Sequence, residues 1–201
     1  MALHPHVQYF YNEWLNKADS YVDKSLSGYF NKAFSLFTLY NKLYAEATFS
    51  LARAKIIKLN ERQGFPDRKG ATIFAPQYIG YENLERIFSE DECARCIDEL
   101  AYFIETGRFY IKLSMLYGKR QQIKDKELAE NLRSKTVEVK VNAVMDYIYT
   151  VRCNMFHGNK QFDEVQVDLL EPIIIILRKV IVELYDKLSD SEFEPRGKTF
   201  I

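Results

Sequence analysis

The apolar positions of this 201-residue chain recur at three- and four-residue steps, the period of an amphipathic helix, and no stretch reads as a convincing strand. The cleanest stripe is Val137, Val141, Val144, Ile148, Val151 and Met155, spaced 4, 3, 4, 3 and 4, with Ser134 or Thr136 placed to cap it. A second pattern runs from Tyr29 to Leu59 without Gly or Pro. It sets Phe30, Phe34, Phe37, Tyr40 or Asn41, Tyr44 and Thr48 on one face, widened by Leu36, Leu43 and Leu51. An aromatic stripe at this spacing predicts core packing rather than a cofactor box. A third follows a cap formed by Asp163 and Gln166: Leu170, Ile173, Ile174, Leu177, Val180 or Ile181, Leu184 and Leu188, with Pro172 predicting a kink or a later start.

Shorter elements fill the rest. Val7 to Lys17 predicts a helix with Tyr9 or Phe10, Trp14 and Leu15 inward, and Asp19 to Ser27 is ambiguous, with Gly28 arguing against helix. Ser89 and Glu92 form a capping box for a helix carrying Cys93, Ile97, Leu100 and Phe103 or Ile104, which Gly107 ends. Gly118 marks another break, and Lys119 to Arg133 reads as an exposed charged helix. Between Asn60 and Gly80 the residues Gly64, Pro66, Gly70, Pro76 and Gly80 predict a long loop with a short extended piece at Ala71–Phe74. Loops of this length are commonly functional or mobile. The expected architecture is all-α: an antiparallel helical bundle with a long loop after the first long helix. It forms a single domain over 1–201 with a core at about 25–188 and flexible ends at 1–6 and 189–201.

Composition narrows the function classes. Lys and Arg balance Asp and Glu at 28 each, so no global charge points to nucleic acid or membrane. Locally, Arg53, Lys55, Lys58, Arg62, Arg68 and Lys69 face only Glu61 and Asp67, which reads either as a basic groove for an anion or as a solvated surface of mixed sign. No apolar run reaches the roughly 18 residues a membrane span needs, and no apolar leader is evident at the N-terminus. Three cysteines, an odd number, fit free thiols in a reducing cytoplasm. Cys93 and Cys96 have metal or redox spacing, yet there is no second such pair and no βαβ unit beside them, so they read as two small apolar residues on a helix. Neither a phosphate loop nor a metal cluster is legible, and no cofactor is expected.

One stretch carries chemistry: Arg152-Cys-Asn-Met-Phe-His157-Gly158, at the end of the cleanest stripe. Residues five apart lie about 140° apart around a regular helix. Arg152 and His157 therefore meet only if the last turn loosens, which Gly158 permits, or if a second subunit brings its own copy. A helix C-terminus favours a protonated imidazole. A permanently charged Arg beside a His is a kit for phosphodiester cleavage, one holding the phosphate and the other moving protons. The same residues also read as an ordinary C-cap with Arg152 in a surface ion pair. His4 and His6 lie outside the folded body, leaving His157 as its general acid or base.

This run, on the penultimate long helix and followed by another apolar helix, resembles the Arg-x4-6-His signature of HEPN domains (higher eukaryotes and prokaryotes nucleotide-binding). Phe37-Thr-Leu-Tyr-Asn-Lys-Leu-Tyr44 resembles the aromatic helix of the family's prokaryotic branch. The resemblance covers roughly residues 25–188, with specificity confined to the motif. It implies a helical homodimer that joins two Arg/His motifs in a cleft. The implied activity is that of a metal-independent endoribonuclease, a toxin or defence effector, with the RNA 2′-OH as nucleophile. The implied catalytic set is Arg152, His157 and Asn154. Here the chain departs from the family pattern: the position directly after the Arg, polar in many members, is Cys153, and the Asn comes one place later as Asn154. Arg62, Arg68, Lys69 and Lys160 are the expected nucleic-acid contacts, and RNA or a nucleotide, a second copy and an antitoxin-like protein are the expected partners. The alternative is a dimer that binds nucleotide, RNA or protein without cleaving.

Overall fold

The computed structural model describes residues 3–114, 116–156 and 165–190; His157, Lys160, Asp163 and the tail from 191 onward lie outside the described residues. No strand occurs among the described residues, where a lone antiparallel bridge pairs Leu113 with Arg120. The helices are α1 (Pro5–Ser20), α2 (Leu26–Arg53), α3 (Asp67–Lys69), α4 (Ala75–Ile79), α5 (Tyr81–Phe88), α6 (Asp91–Glu105), α7 (Gln122–Leu132), α8 (Val137–Phe156) and α9 (Gln166–Ser189).

α2 and α9 form the centre of the molecule, with α1 against α2 and α6 against α9. On α2 the fully buried line is Leu36, Leu39, Tyr40, Leu43, Ala47 and Leu51, while Phe34 is 39% exposed. From Phe37 onward the expected aromatic stripe is in place, with Phe37, Tyr40, Tyr44 and Thr48 buried beside the leucines, and only its first turn, at Phe34, opens to solvent. α9 answers with Ile173, Ile176, Leu177, Val180, Ile181 and Leu184, all with essentially no exposure, and Pro172 lies inside its continuous span. The stripe predicted for α8 is in place: Val141, Val144, Ile148 and Val151 are buried, and Val137 and Met155 pack against the core. Burial of such faces, at roughly 25 cal/mol per Å² of apolar surface, is what a helix this long needs to form at all.

Several boundaries differ from the sequence-based expectation. α1 starts at Pro5, whose missing N–H costs nothing at a first helical position, and the His4 ring accepts from the His6 N–H at 3.2 Å. Gly28 lies inside α2, at a position where a Cβ would come within 2.1 Å of the Asp23 carbonyl oxygen, so only glycine fits there. The Ser25 hydroxyl accepts from the Gly28 N–H at 3.2 Å and caps the helix. α2 stops at Arg53 rather than Leu59 because Lys55 takes a left-handed φ of 59°. The Ile56 N–H donates to the Leu51 carbonyl and the Lys55 N–H to the Ala52 carbonyl, both at 3.0 Å, closing a Schellman motif on a residue that is normally Gly. Ser89 ends α5 instead of starting α6; its hydroxyl donates to Glu85, and Glu90 takes the cap position.

The largest correction concerns Asn60–Gly80. It is a chain of tight helical turns: a 3₁₀ turn at Glu61–Gln63, α3, a π turn at Gly70–Phe74 and α4. Ala71–Phe74 is not extended, and Gly70, Ala71, Ala75, Pro76 and Ile79 are buried. Pro76 is in the first turn of α4, where proline is tolerated, and the breaks fall at Gly64 and Gly80, with φ of 70° and 97°. α7, expected to be exposed, buries Asp125, Leu128, Ala129 and Leu132.

Candidate functional site

The segment between α2 and α4 returns to α2 through two tyrosines one helical turn apart. Tyr40 donates to the Ala71 carbonyl at 2.6 Å, and the Tyr44 hydroxyl donates to Asp67 Oδ1. Gly70 makes this approach possible: a Cβ there would lie 3.1 Å from the Tyr44 ring and 3.2 Å from Phe65. The backbone of the turn therefore seats Asp67 over the junction of α2 and α8.

There the Asp67 carboxylate collects three donors from the two long helices. Besides Tyr44, the Tyr149 hydroxyl donates to Oδ2 at 2.9 Å and Arg152 Nη1 donates to Oδ2 at 3.1 Å. Asn41 completes the ring. With its carboxamide oriented to satisfy its neighbours, its oxygen accepts from Arg152 Nη2 at 3.1 Å and its nitrogen donates to the Tyr44 hydroxyl oxygen at 3.1 Å. Tyr149 and Arg152 are three apart on α8 and so share a face, with the guanidinium 5.6 Å from the ring centroid.

The electrostatics follow from these contacts. Burial works to raise the Asp67 pKa, but the hydrogen bonds from Tyr44 and Tyr149 and the Arg152 charge outweigh it, and the carboxyl is held below its ordinary range. Burial and the bond to Asp67 push both tyrosine hydroxyls well up, so they remain donors. Burial also opposes the Arg152 charge, and the Tyr44 hydroxyl and Asp67 carboxylate more than offset it. Arg152 is a fixed cation with 21% side-chain exposure, while Asp67 retains 44%.

A second charged layer lies beside the first. Arg68 pairs with Asp146 and stands 5.9 Å from the centroid of the Tyr149 ring, so two guanidinium groups lie near the same ring. Lys112 Nζ also donates to Asp146, and to the Thr150 hydroxyl at 3.1 Å. Of the expected nucleic-acid contacts, Arg68 is thus adjacent to Arg152, while Arg62 and Lys69 are exposed on the same turn segment. His157 and Lys160 fall outside the described residues.

Asn154 goes elsewhere. Relative to Val151 at the centre of the buried stripe, Arg152 is turned about 100° one way and Asn154 about 60° the other. The Asn154 amide is 6% exposed and donates to the Ile111 carbonyl at 3.0 Å. The Ile111 N–H in turn donates to the buried Asp125 carboxylate at 3.0 Å, which also accepts from the Lys112 N–H at 2.8 Å and Arg120 Nε at 3.3 Å. This relay fastens the 109–112 segment between α7 and α8, and through Lys112 it reaches Asp146.

Sequence reasoning did not single out Asp67, Tyr149, Asp146, Lys112 or Asp125. One signal was there to read: Asn142, Asp146, Tyr149 and Cys153 step by 4, 3 and 4, a polar stripe beside the apolar one on α8. Asp67 had no comparable signal, since the turn that presents it is non-periodic. Cys93 and Cys96 are buried, and burial pushes each thiol up to about 11, so both are inert packing groups as expected. Among the described residues no three His, Cys, Asp or Glu side chains cluster as metal ligands, and no helix is long and apolar enough to cross a membrane. No protein-family model matches the chain, and no curated protein or solved structure matches it either.

Proposed function

We propose that this chain is an RNA-directed HEPN-like protein acting as a homodimeric, metal-independent endoribonuclease of the toxin or defence type. One observation carries the reading. The two stretches that resemble the family lie on α2 and α8, far apart in sequence, and they converge on Arg152 through Asn41, at 3.1 Å, and through Tyr44 by way of Asp67.

In this reading Arg152 binds the scissile phosphate and stabilises the charge that develops on its oxygens. His157, next in sequence after the end of α8, accepts the 2′-OH proton and returns one to the leaving 5′-oxygen. The 2′-oxygen attacks phosphorus, the bond from phosphorus to the 5′-oxygen breaks, and a 2′,3′-cyclic phosphate remains. A second copy supplies its own Arg152 and His157 across the dimer cleft. Asn154 is a positioning residue, holding Ile111 and the segment that carries Lys112. Arg68 contacts the RNA backbone beside the scissile phosphate.

The test is cleavage of single-stranded RNA in chelator by wild type and His157→Ala. Cleavage with cyclic-phosphate ends, lost in the variant while binding persists, is the expected result. Cleavage that is absent from wild type, or that survives the substitution, refutes the enzymatic reading and leaves a helical module that binds nucleotide, RNA or protein without cleaving.

A further inference from the structure

We infer that Tyr44, Tyr149 and Arg152 form a phosphate cradle, and that the Asp67 carboxylate is a built-in latch occupying it until a phosphate group takes its place. The inference deepens the preceding reading, and rests on it only for the source of the phosphate. The three donors come from long, core-anchored helices, whereas their common acceptor comes from the three-residue helix α3. The donors converge from different directions on the two oxygens of one small anion. Two hydroxyl groups and a guanidinium are also what a phosphate oxygen set accepts from. Asp67 is the more exposed partner, at 44% against 21% for Arg152, so the anion can leave by rotation of its side chain alone while the donors stay seated. The surroundings favour the exchange: Arg68 stands beside the cradle, and Arg62 and Lys69 are exposed on the same segment. Because the tyrosine hydroxyls are held protonated, they remain donors to whichever anion is present.

A latch and a supporting contact make opposite predictions for Asp67→Asn. An isosteric, neutral side chain weakens the internal competitor, so a latch predicts tighter anion binding, whereas a contact that merely holds Arg152 in place predicts weaker binding. The experiment uses the full chain and two probes: a fluorescently labelled 12-nucleotide DNA strand, which lacks the 2′-OH and cannot be cleaved by that route, and inorganic phosphate. For Asp67→Asn the affinity should rise about fivefold, the effect of one unit charge a few ångströms away in water-exposed surroundings. The gain should vanish when Arg152→Ala or Tyr149→Phe is added, and should exceed that of Glu46→Gln, the same charge change on the opposite side of α2 from Tyr44. A gain with the DNA strand assigns the phosphate to a nucleic-acid backbone; a gain with inorganic phosphate alone assigns it to a free phosphate, and either supports the latch. Unchanged or weaker binding of both probes overturns it, as does a gain that survives Arg152→Ala or is matched by Glu46→Gln. If Asp67→Asn fails to fold by circular dichroism, Asp67→Ser carries the same comparison. The two proposals fail separately: absent RNA cleavage leaves the binding gain to be seen, and wild-type cleavage with no gain in Asp67→Asn removes only the latch.

Discussion

Asn154→Ala separates a structural role from a chemical one at the residue the family resemblance would place in the reaction. The Asn154 amide is 6% exposed and its donation at 3.0 Å goes to the Ile111 carbonyl, at the end of a relay that continues to Asp125. Truncation leaves that carbonyl short of a donor inside the protein and opens a small void where the carboxamide was. An unsatisfied buried polar group costs about 1–3 kcal/mol, and the void adds to it, so the expected loss is roughly 2–3 kcal/mol. Against a typical total of about 5–15 kcal/mol this is large. Equilibrium urea unfolding followed by far-ultraviolet circular dichroism should show the midpoint falling by roughly 1 M at unchanged slope. RNA cleavage per folded molecule, measured well below the transition, should stay within a few-fold of wild type. A variant as stable as wild type but about 100-fold slower in cleavage would refute the argument, because the Ile111 contact would then be dispensable and the amide would be acting on the substrate.

Asp125→Ala should be costlier still, since it strips the Ile111 and Lys112 N–H groups and Arg120 of a shared buried acceptor. Breaking such a group by removing one partner costs about 3–5 kcal/mol, and a thermal midpoint unchanged from wild type would contradict it. The Asp67 cluster sets an acid limit. Its folded pKa lies below its unfolded value, so its contribution is fully present above the ordinary carboxylate range, near pKa 3.9, and is lost as pH falls through the depressed folded value. The stability gap between wild type and Asp67→Asn should therefore be constant between about pH 5 and 7 and narrow below about pH 4; a gap that widens on acidification would show the carboxylate is not held ionised by its donors.

What the sequence determined by itself was the periodic part of the molecule. The 4, 3, 4, 3, 4 spacing on α8 and the apolar face of α9 dictate helices and their inward residues, because a helix this long is stable only when that face is buried. The motif at Arg152 and the Phe37–Tyr44 stretch were likewise visible as local strings. Where local chemistry and global packing disagreed, packing prevailed. Lys55 took a left-handed turn usually left to Gly, and the glycines and prolines of Asn60–Gly80 punctuated a train of helical turns instead of a loop. The meeting of Asn41, Tyr44, Asp67, Tyr149 and Arg152 was decided only by the tertiary structure. Sequence spacing specifies which residues share one helix face, but the partner of a charge is whichever group folding brings within about 3 Å, and no period within one element encodes that. The flank of α8 that Asn154 occupies follows from its spacing, but its acceptor, the Ile111 carbonyl, was supplied only by folding.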